Sequence, residues 1–523
     1  MQLITQNDCL LVKKNIDNIN IDVKKTIMNI FNPKLEDRKK IFNIIKTYIK
    51  NNERKVYGGY ALNELLKIKK SKIYEDFELP DIDFYSYDPN TDIINICNEI
   101  YDNGFKKVSG REAKHKNTYS IYVNYELYCD ITYVPKYIYD KIPVKIINNF
   151  KYINSNFMII DYLKILTDPI CSNWRIEKTL NRLQKLNKYY PLNYTEESIN
   201  INQTDVDKFI KNSINDIIDY IKNKDDLIII GFYAYNYFLI TSLYEKLNLI
   251  DIPFVEIISK NYSNDINNIL KILKNNYTDL NITYKEYYSF FTYTGYICEI
   301  YIEDELILIV YDYNEKCIPY QSVDYIDFNE TIIYEKDKIN IGTFSLTLLY
   351  GYINIFRNKV FNYKEMKDVY EKFVSHLVKM KNYYFENNND NLLGNNIFKD
   401  FITKCIYPDY NPEFENLIRY EKRKNNNKPT MYIYDPNKNR KDEKATNFFF
   451  ANISGNEIKN IKHSKLNNNN FNNDDNFIEN IDNIENIDNI DNNFNNNIDN
   501  NFNNNIDNNF NNNNDNEKVE NNT

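Results

Sequence analysis

The chain has 523 residues, enough for two to four domains with sizeable cores, and its 42% hydrophobic content excludes a wholly disordered protein. The net charge of −9 does not describe the body: twelve acids and one lysine between Leu466 and Thr523 carry −11, which leaves +2 for the residues before them. A near-neutral body gives no overall pull on nucleic acid, so any such binding must use a local groove.

The 48 tyrosines, with abundant Ile, Asn and Lys, look like an A/T-rich coding bias, so no Tyr or Asn is singled out by abundance. The 7 scattered cysteines form no C-x-x-C pair, which predicts free thiols in a reducing compartment and excludes the usual zinc modules. Met1 to Lys14 lacks the pattern of a signal peptide, so the expectation is a protein that is not secreted. Leu227 to Ile240 is the most apolar run, but Gly231 and Asn236 interrupt it and it is short, so it reads as buried core and not as a membrane span.

In chain order, Met1 to Asn32 predicts a loosely patterned helix, and Pro33 ends it. Leu35, Ile41, Ile44, Ile45, Tyr48 and Ile49 fall near helical spacing and predict an amphipathic helix over Leu35 to Lys50. Lys55 to Tyr57 reads as extended, and Gly58-Gly59 as a tight turn into a helix from Tyr60 to about Lys70. Taken alone, the two glycines have the ordinary reading of a turn.

Asp81-Ile82-Asp83 places two carboxylates on one face of a predicted strand, where they repel each other unless a cation lies between them. The bland alternative is a solvated edge. Asp130 lies within Glu126 to Val134, an apolar, aromatic strand ended by Pro135, and an acid there is costly unless it is paired or binds metal. Its alternative is a buried salt bridge. A helix over Asn90 to Asn103 and a hairpin complete the order: glycine turn, helix, Asp-x-Asp strand, helix, hairpin, Asp strand.

At these residues the chain resembles the nucleotidyltransferase superfamily of the polymerase-beta type. Within it the chain looks like the poly(A) polymerase catalytic subunits of large nucleocytoplasmic DNA viruses. The likeness continues through Leu166-Thr167-Asp168-Pro169, Ser172-Asn173-Trp174-Arg175, Glu177-Lys178 and Arg182. The resemblance implies that Gly58 and Gly59, with Asn63 grouped beside them, meet the nucleotide, and that Asp81, Asp83 and Asp130 are the catalytic, metal-binding acids. It implies two Mg²⁺ (or Mn²⁺) ions, ATP as substrate, the mRNA 3′ end as partner, a homodimer, and a place in the cytoplasm or the virion. Gly-Gly departs from the commoner Gly-Ser and leaves the phosphate contact to backbone N–H groups. Another nucleotidyltransferase of the CCA-adding type, and a non-catalytic RNA-binding or processivity subunit, stand as alternatives.

The chain then echoes itself. Gly231-Phe232-Tyr233-Ala234-Tyr235-Asn236 repeats Gly58 to Asn63 at an offset of 173, which sets Pro253 on Pro80, Ser259 on Ser86 and Asp265 on Asp92. Asp81 then falls on Phe254, Asp83 on Glu256 and, after a six-residue insertion, Asp130 on Ile309. The reading is a second nucleotidyltransferase-like unit without its metal site; the alternative is an unrelated α/β domain.

The expected fold is therefore α+β, a mixed nucleotidyltransferase sheet with helices, duplicated, plus helical segments and a disordered tail. The expected parts are an N-terminal helical segment (1–50), a catalytic core (51–145), a helical segment (146–200), a degenerate second unit (201–341), a C-terminal helical region (342–453) and an Asn/Asp-rich tail (454–523). His376 reads as a surface or core residue, and the basic runs at Glu421 to Lys424 and Lys438 to Lys444 as solvated faces or RNA contacts.

Overall fold

Helix α1 (Gln6–Ile30) leads into α2 (Leu35–Asn51). Ile41, Ile45, Tyr48 and Ile49 of α2 are buried, as their spacing requires. The apolar residues of α1 are not: Val12, Ile16, Ile19 and Val23 are 41–50% exposed. The computed structural model describes residues 4–30, 35–192, 195–199, 208–328, 332–411, 414–425, 433–436, 454–459 and 464–466.

The first sheet is built from β1 (Lys55–Tyr57), β2 (Ile82–Ser86), β3 (Val108–Glu112), β4 (Thr118–Val123), β5 (Glu126–Tyr133), β6 (Val144–Ile147) and β7 (Phe150–Ile153) in the order β3-β4-β5-β2-β1-β7-β6. Helix α3 (Gly58–Ile68) follows β1 directly, and α4 (Pro89–Asp102) follows β2. Asp88 caps α4 by accepting from the Thr91 N–H, with Pro89 at the first helical position. After the short α5 (Lys136–Lys141) and the β6–β7 hairpin come α6 (Ser155–Leu166), α7 (Pro169–Ser172), one 3-10 turn at Asn173–Arg175, and α8 (Ile176–Tyr189).

Two details depart from the sequence reading. Helix α3 begins at Gly58 itself, two residues earlier than expected. Asp81 lies just before β2, not within it. The reason is the brevity of β1: its pairing with β2 ends at Tyr57–Asp83, because the chain then turns into α3 and offers Asp81 no partner on that side.

The second sheet comprises β8 (Leu227–Ile230), β9 (Val255–Ser259), β10 (Ile282–Tyr287), β11 (Ile297–Ile302), β12 (Glu305–Asp312), β13 (Ile318–Asp327), β14 (Ile332–Gly342) and β15 (Cys405–Ile406). Its order, β10-β11-β12-β9-β8-β14-β13-β15, repeats that of the first with β15 added. Strand senses repeat too: β8 is antiparallel to β9 and parallel to β14, as β1 is to β2 and β7. Helix α9 (Lys208–Ile221) precedes it, α10 (Gly231–Ser242) and α11 (Tyr262–Asn276) follow β8 and β9, and α12 (Phe344–Val360) and α13 (Lys364–Asn387) close it.

The apolar run from Leu227 is thus split into a buried strand and a helix, and no helix among the described residues is long and apolar enough to cross a membrane. Phe157 of α6 packs edge-to-face on Phe356 of α12, with ring centres 4.8 Å apart, so the two sheets share a helical layer. His376 is buried in α13, its Nδ1 3.0 Å from the Tyr235 hydroxyl.

Two expectations need correction. Cys317 and Cys405, 88 residues apart, are joined as a disulfide beside the β13–β15 pairing, with Cα atoms 5.6 Å apart; among the described residues the other five cysteines are free. Order also extends past Ser454. The Gly455 N–H donates to the Ser289 carbonyl, the Ile458 N–H to the Glu286 carbonyl, and Ser464 Oγ to the Glu286 carboxylate at 2.6 Å. The rest of that tail, 460–463 and 467–523, lies outside the described residues.

Candidate active site

The register of the first sheet assembles the acids. Asp83 on β2 pairs with Asp130 on the parallel β5, and both lean toward Asp81 at the strand's entrance. One carboxylate oxygen from each of Asp81, Asp83 and Asp130 lies within 4.8 Å of the others. Burial, then the charges of Asp81 and Asp130, pushes the Asp83 carboxyl well above the usual range. Burial raises Asp130 as well, opposed by the Ser120 hydroxyl, which donates to its Oδ1 at 2.6 Å. Three oxygen donors that repel one another are the donor set of a hard divalent cation such as Mg²⁺ or Mn²⁺, so the residues present fit such ions.

The glycine turn faces this triad. Gly58 has φ +71°, the left-handed region that disfavours a side chain, and a Cβ there would strike the Asp83 carboxylate. A Cβ on Gly59 would strike the Tyr74 hydroxyl and the Arg182 guanidinium. Tyr57 at the N-cap gives α3 no side-chain cap, its hydroxyl being paired with the Thr132 hydroxyl at 2.8 Å, and the first turn of such a helix can take an anion on its backbone N–H groups.

Asn63 lies on α3, one turn beyond the glycines. It is 4% exposed, and its Oδ1 accepts from the Ile73 and Tyr74 N–H groups at 2.9 and 3.2 Å. It thereby pins the loop that carries Tyr74 and leads to Asp81. Asn236 does the same in the second unit, accepting from the Ile250 N–H at 2.9 Å.

Helix α8 supplies what the sequence reading left without a role. Lys178 and Arg182, four residues apart, share a face of α8, and Arg175 lies on the 3-10 turn that leads into it. Arg182 and Arg175 act on Asp83, and Arg175 on Asp130. Arg182 donates to the Tyr74 hydroxyl at 2.7 Å. Burial and the two arginines depress the Lys178 ammonium. Their helical spacing was visible in the sequence, but the face they present was not. Of the C-terminal basic runs, Arg423 in α14 (Glu415–Asn425) is committed to both Glu112 oxygens at 2.9 and 3.1 Å, and Lys438 to Lys444 lies outside the described residues.

The second sheet reproduces the turn without the acids. Gly231 has φ +65°, Ile230 pairs with Glu256, and Glu256 pairs with Ile309 on β12. Phe254, immediately before β9, is buried against Phe232. Glu256 is 1% exposed, and its Oε1 accepts from Tyr311, Asn354 and Tyr370 at 3.0–3.2 Å.

Two acids on a parallel pair of strands, with a third just before one of them, set against a glycine-opened helix, make this a nucleotidyltransferase. The comparisons narrow the class. Residues 43–172 match the family described as "Poly(A) polymerase catalytic subunit", and residues 184–469 match "APMV, Putative poly(A) polymerase, catalytic subunit, C-terminal". A putative poly(A) polymerase catalytic subunit of Acanthamoeba polyphaga mimivirus is 31% identical over 87% of this chain and 83% of its own length. The African swine fever virus counterpart is 28% identical over 28% of this chain and 33% of its own length. The crystal structure of the Megavirus polyadenylate synthase superposes with a TM-score of 0.78 at 29% identity, covering 89% of this chain and 94% of that one. The chain belongs to the poly(A) polymerase catalytic subunit family and is a polynucleotide-extending nucleotidyltransferase.

Proposed function

We propose that Asp81, Asp83 and Asp130 are the catalytic acids of this polymerase and hold two Mg²⁺ (or Mn²⁺) ions. The observation that carries this reading is the convergence of three carboxylates within 4.8 Å at the mouth of the Gly58–Gly59 turn. When bound, such ions neutralise a triphosphate and favour ionisation of a 3′ hydroxyl.

The chain's own groups divide the remaining work. Asp81 and Asp83 serve the ion that accompanies the ATP triphosphate. Asp130, oriented by Ser120, serves the acceptor side and is placed to receive the proton of the mRNA 3′ hydroxyl. Backbone N–H groups at the start of α3 take phosphate oxygens, in a turn whose Gly58 φ only glycine adopts readily. Arg182 and Lys178 neutralise the pyrophosphate that leaves. Asn63 acts through the loop it pins.

We read the second sheet as a degenerate copy in which Phe254, Glu256 and Ile309 replace the acids, since the two sheets share strand order and register. A homodimer is the further partner; it would cover the exposed apolar residues of α1. We place its action in the cytoplasm of an infected cell, or in the virion, a reading supported by the viral source of the relatives. Replacing Asp81 or Asp130 by Ala tests the metal assignment: each abolishes ATP-dependent extension while circular dichroism stays unchanged, and retained activity in either refutes it.

A further inference from the structure

Asp161 stands on α6 and has no part in the triad. It is half-buried, and its Oδ2 accepts from the Tyr85 hydroxyl at 3.2 Å. Among the described residues its other oxygen has no hydrogen-bond partner. Lys164, one turn on, holds the Thr292 hydroxyl at 3.0 Å and forms no ion pair with Asp161. A carboxylate clamped by one oxygen and open at the other is set to accept a further donor.

The sheet ties this carboxylate to the triad. Residues two apart on a strand share a face, so Tyr85 projects on the side of Asp83, about 6.6 Å further along β2. Tyr57, the partner of Asp83 on β1, stacks on the Tyr85 ring with centres 4.1 Å apart. The Phe291 ring meets Tyr85 edge-on at 6.0 Å. An aromatic wall thus runs from the acids to Asp161. One strand step and one tyrosine side chain separate Asp83 from Asp161, a span that suits the far edge of a nucleotide's base better than the sugar beside its phosphates.

The second unit shows that the fold does not need this pair. Tyr152 pairs with Val56 as Ile341 pairs with Ile229, and Asn154 and Thr343 each cap the helix that follows; both equivalences set the helices 189 residues apart. Asp161 then falls on Tyr350, which is buried with its ring centre 4.9 Å from that of Tyr311. At the offset of 173, Tyr85 falls on Ile258. The hydroxyl and the carboxylate are therefore missing from the copy that lacks the three acids.

We propose that Asp161 selects the base of the incoming nucleotide, its open oxygen accepting the exocyclic N6 amino group of adenine. Guanine and uracil present a carbonyl oxygen at the corresponding position, which a carboxylate repels. Cytosine carries an amino group there, so this contact does not reject it. The inference rests on the reading of the triad as the place of the triphosphate.

The test is the kcat/KM of extension with each of the four nucleotides, for the wild type and Asp161→Asn. The amide that replaces the carboxylate still accepts from Tyr85 but also offers an N–H to a carbonyl. The ATP/GTP and ATP/UTP ratios fall about tenfold or more, and the ATP/CTP ratio moves less. Tyr85→Phe keeps the ring stack and releases the carboxylate, and it lowers the same two ratios by a smaller factor. Competition of each nucleotide against a fluorescent ATP analogue reports the preference without turnover. ATP/GTP and ATP/UTP ratios unchanged in both variants, or a change only in the preference for ATP over 2′-deoxy-ATP, overturns the proposal. Absence of extension by the wild type, with the binding preference present and lost in Asp161→Asn, would instead defeat the catalytic reading and leave base selection standing.

Discussion

Asp83 and Glu256 occupy the same place in two sheets of one design. Each is the second residue of a five-residue strand. Each pairs across an antiparallel neighbour with the residue before a left-handed glycine, Tyr57 in one sheet and Ile230 in the other. Around Asp83 the adjoining positions carry acids, with a cationic helix opposite. Around Glu256 they carry Phe254 and Ile309, and the carboxyl is sealed among tyrosines. One framework thus holds an open carboxylate site and a closed one.

The closed site predicts a pH effect on stability. Burial raises the Glu256 carboxyl to about 7. Between pH ~4.5 and ~7 the folded chain keeps a proton that the unfolded chain has lost, so this group's contribution to stability falls as pH rises through that window and is level above it. Glu256→Gln does not titrate. Its unfolding free energy should therefore gain about 2–3 kcal/mol on the wild type between pH 5 and pH 8. Denaturant titrations at the two pH values check this, and a pH-independent difference contradicts it.

At the open site, the turn should tolerate no side chain. Gly58→Ala meets both the φ of +71° and the Asp83 carboxylate. The backbone cost alone is about 1–2 kcal/mol, and displacement of Asp83 should remove extension activity. Differential scanning fluorimetry and an extension assay, run on the same protein, would show a modest loss of stability with a far larger loss of turnover.

Arg182 should separate nucleotide from acceptor. Arg182→Ala removes a charge-assisted contact of about 1.5–3 kcal/mol, which corresponds to roughly a tenfold to hundredfold rise in the ATP KM. The RNA KM should stay near the wild-type value. Arg182→Lys, which keeps the charge but loses the planar fork, should fall between the two. Equal effects on both substrates would place Arg182 outside the triphosphate end.

Local signals carried much of this site, and tertiary relations carried the rest. Gly58-Gly59, Asp81-x-Asp83 and Asp130 were legible because the turn and the strand pattern are encoded within a few residues. The repeat at an offset of 173 was legible because the turn, Pro253 and Ser259 were kept. The facing of α8 was not, since helical spacing gives a face and not its neighbour. Asn63 stands near the glycines in the sequence, but no local pattern shows that its Oδ1 holds the Ile73 N–H, ten residues on. The Cys317–Cys405 disulfide joins residues 88 apart, and no local spacing marks such a pair. The ordered residues after Ser454 depend on Ser289 and Glu286, far away in sequence.

The central claim is that the triad transfers adenylate to RNA. The direct measurement is extension of a short oligo(U)-containing RNA with Mg²⁺ and each nucleoside triphosphate in turn, by the wild type and by Asp130→Ala. The account predicts extension with ATP alone, lost on chelation of the metal and lost in Asp130→Ala although that variant still binds RNA. Equal extension with all four nucleotides, or extension by Asp130→Ala, would contradict it.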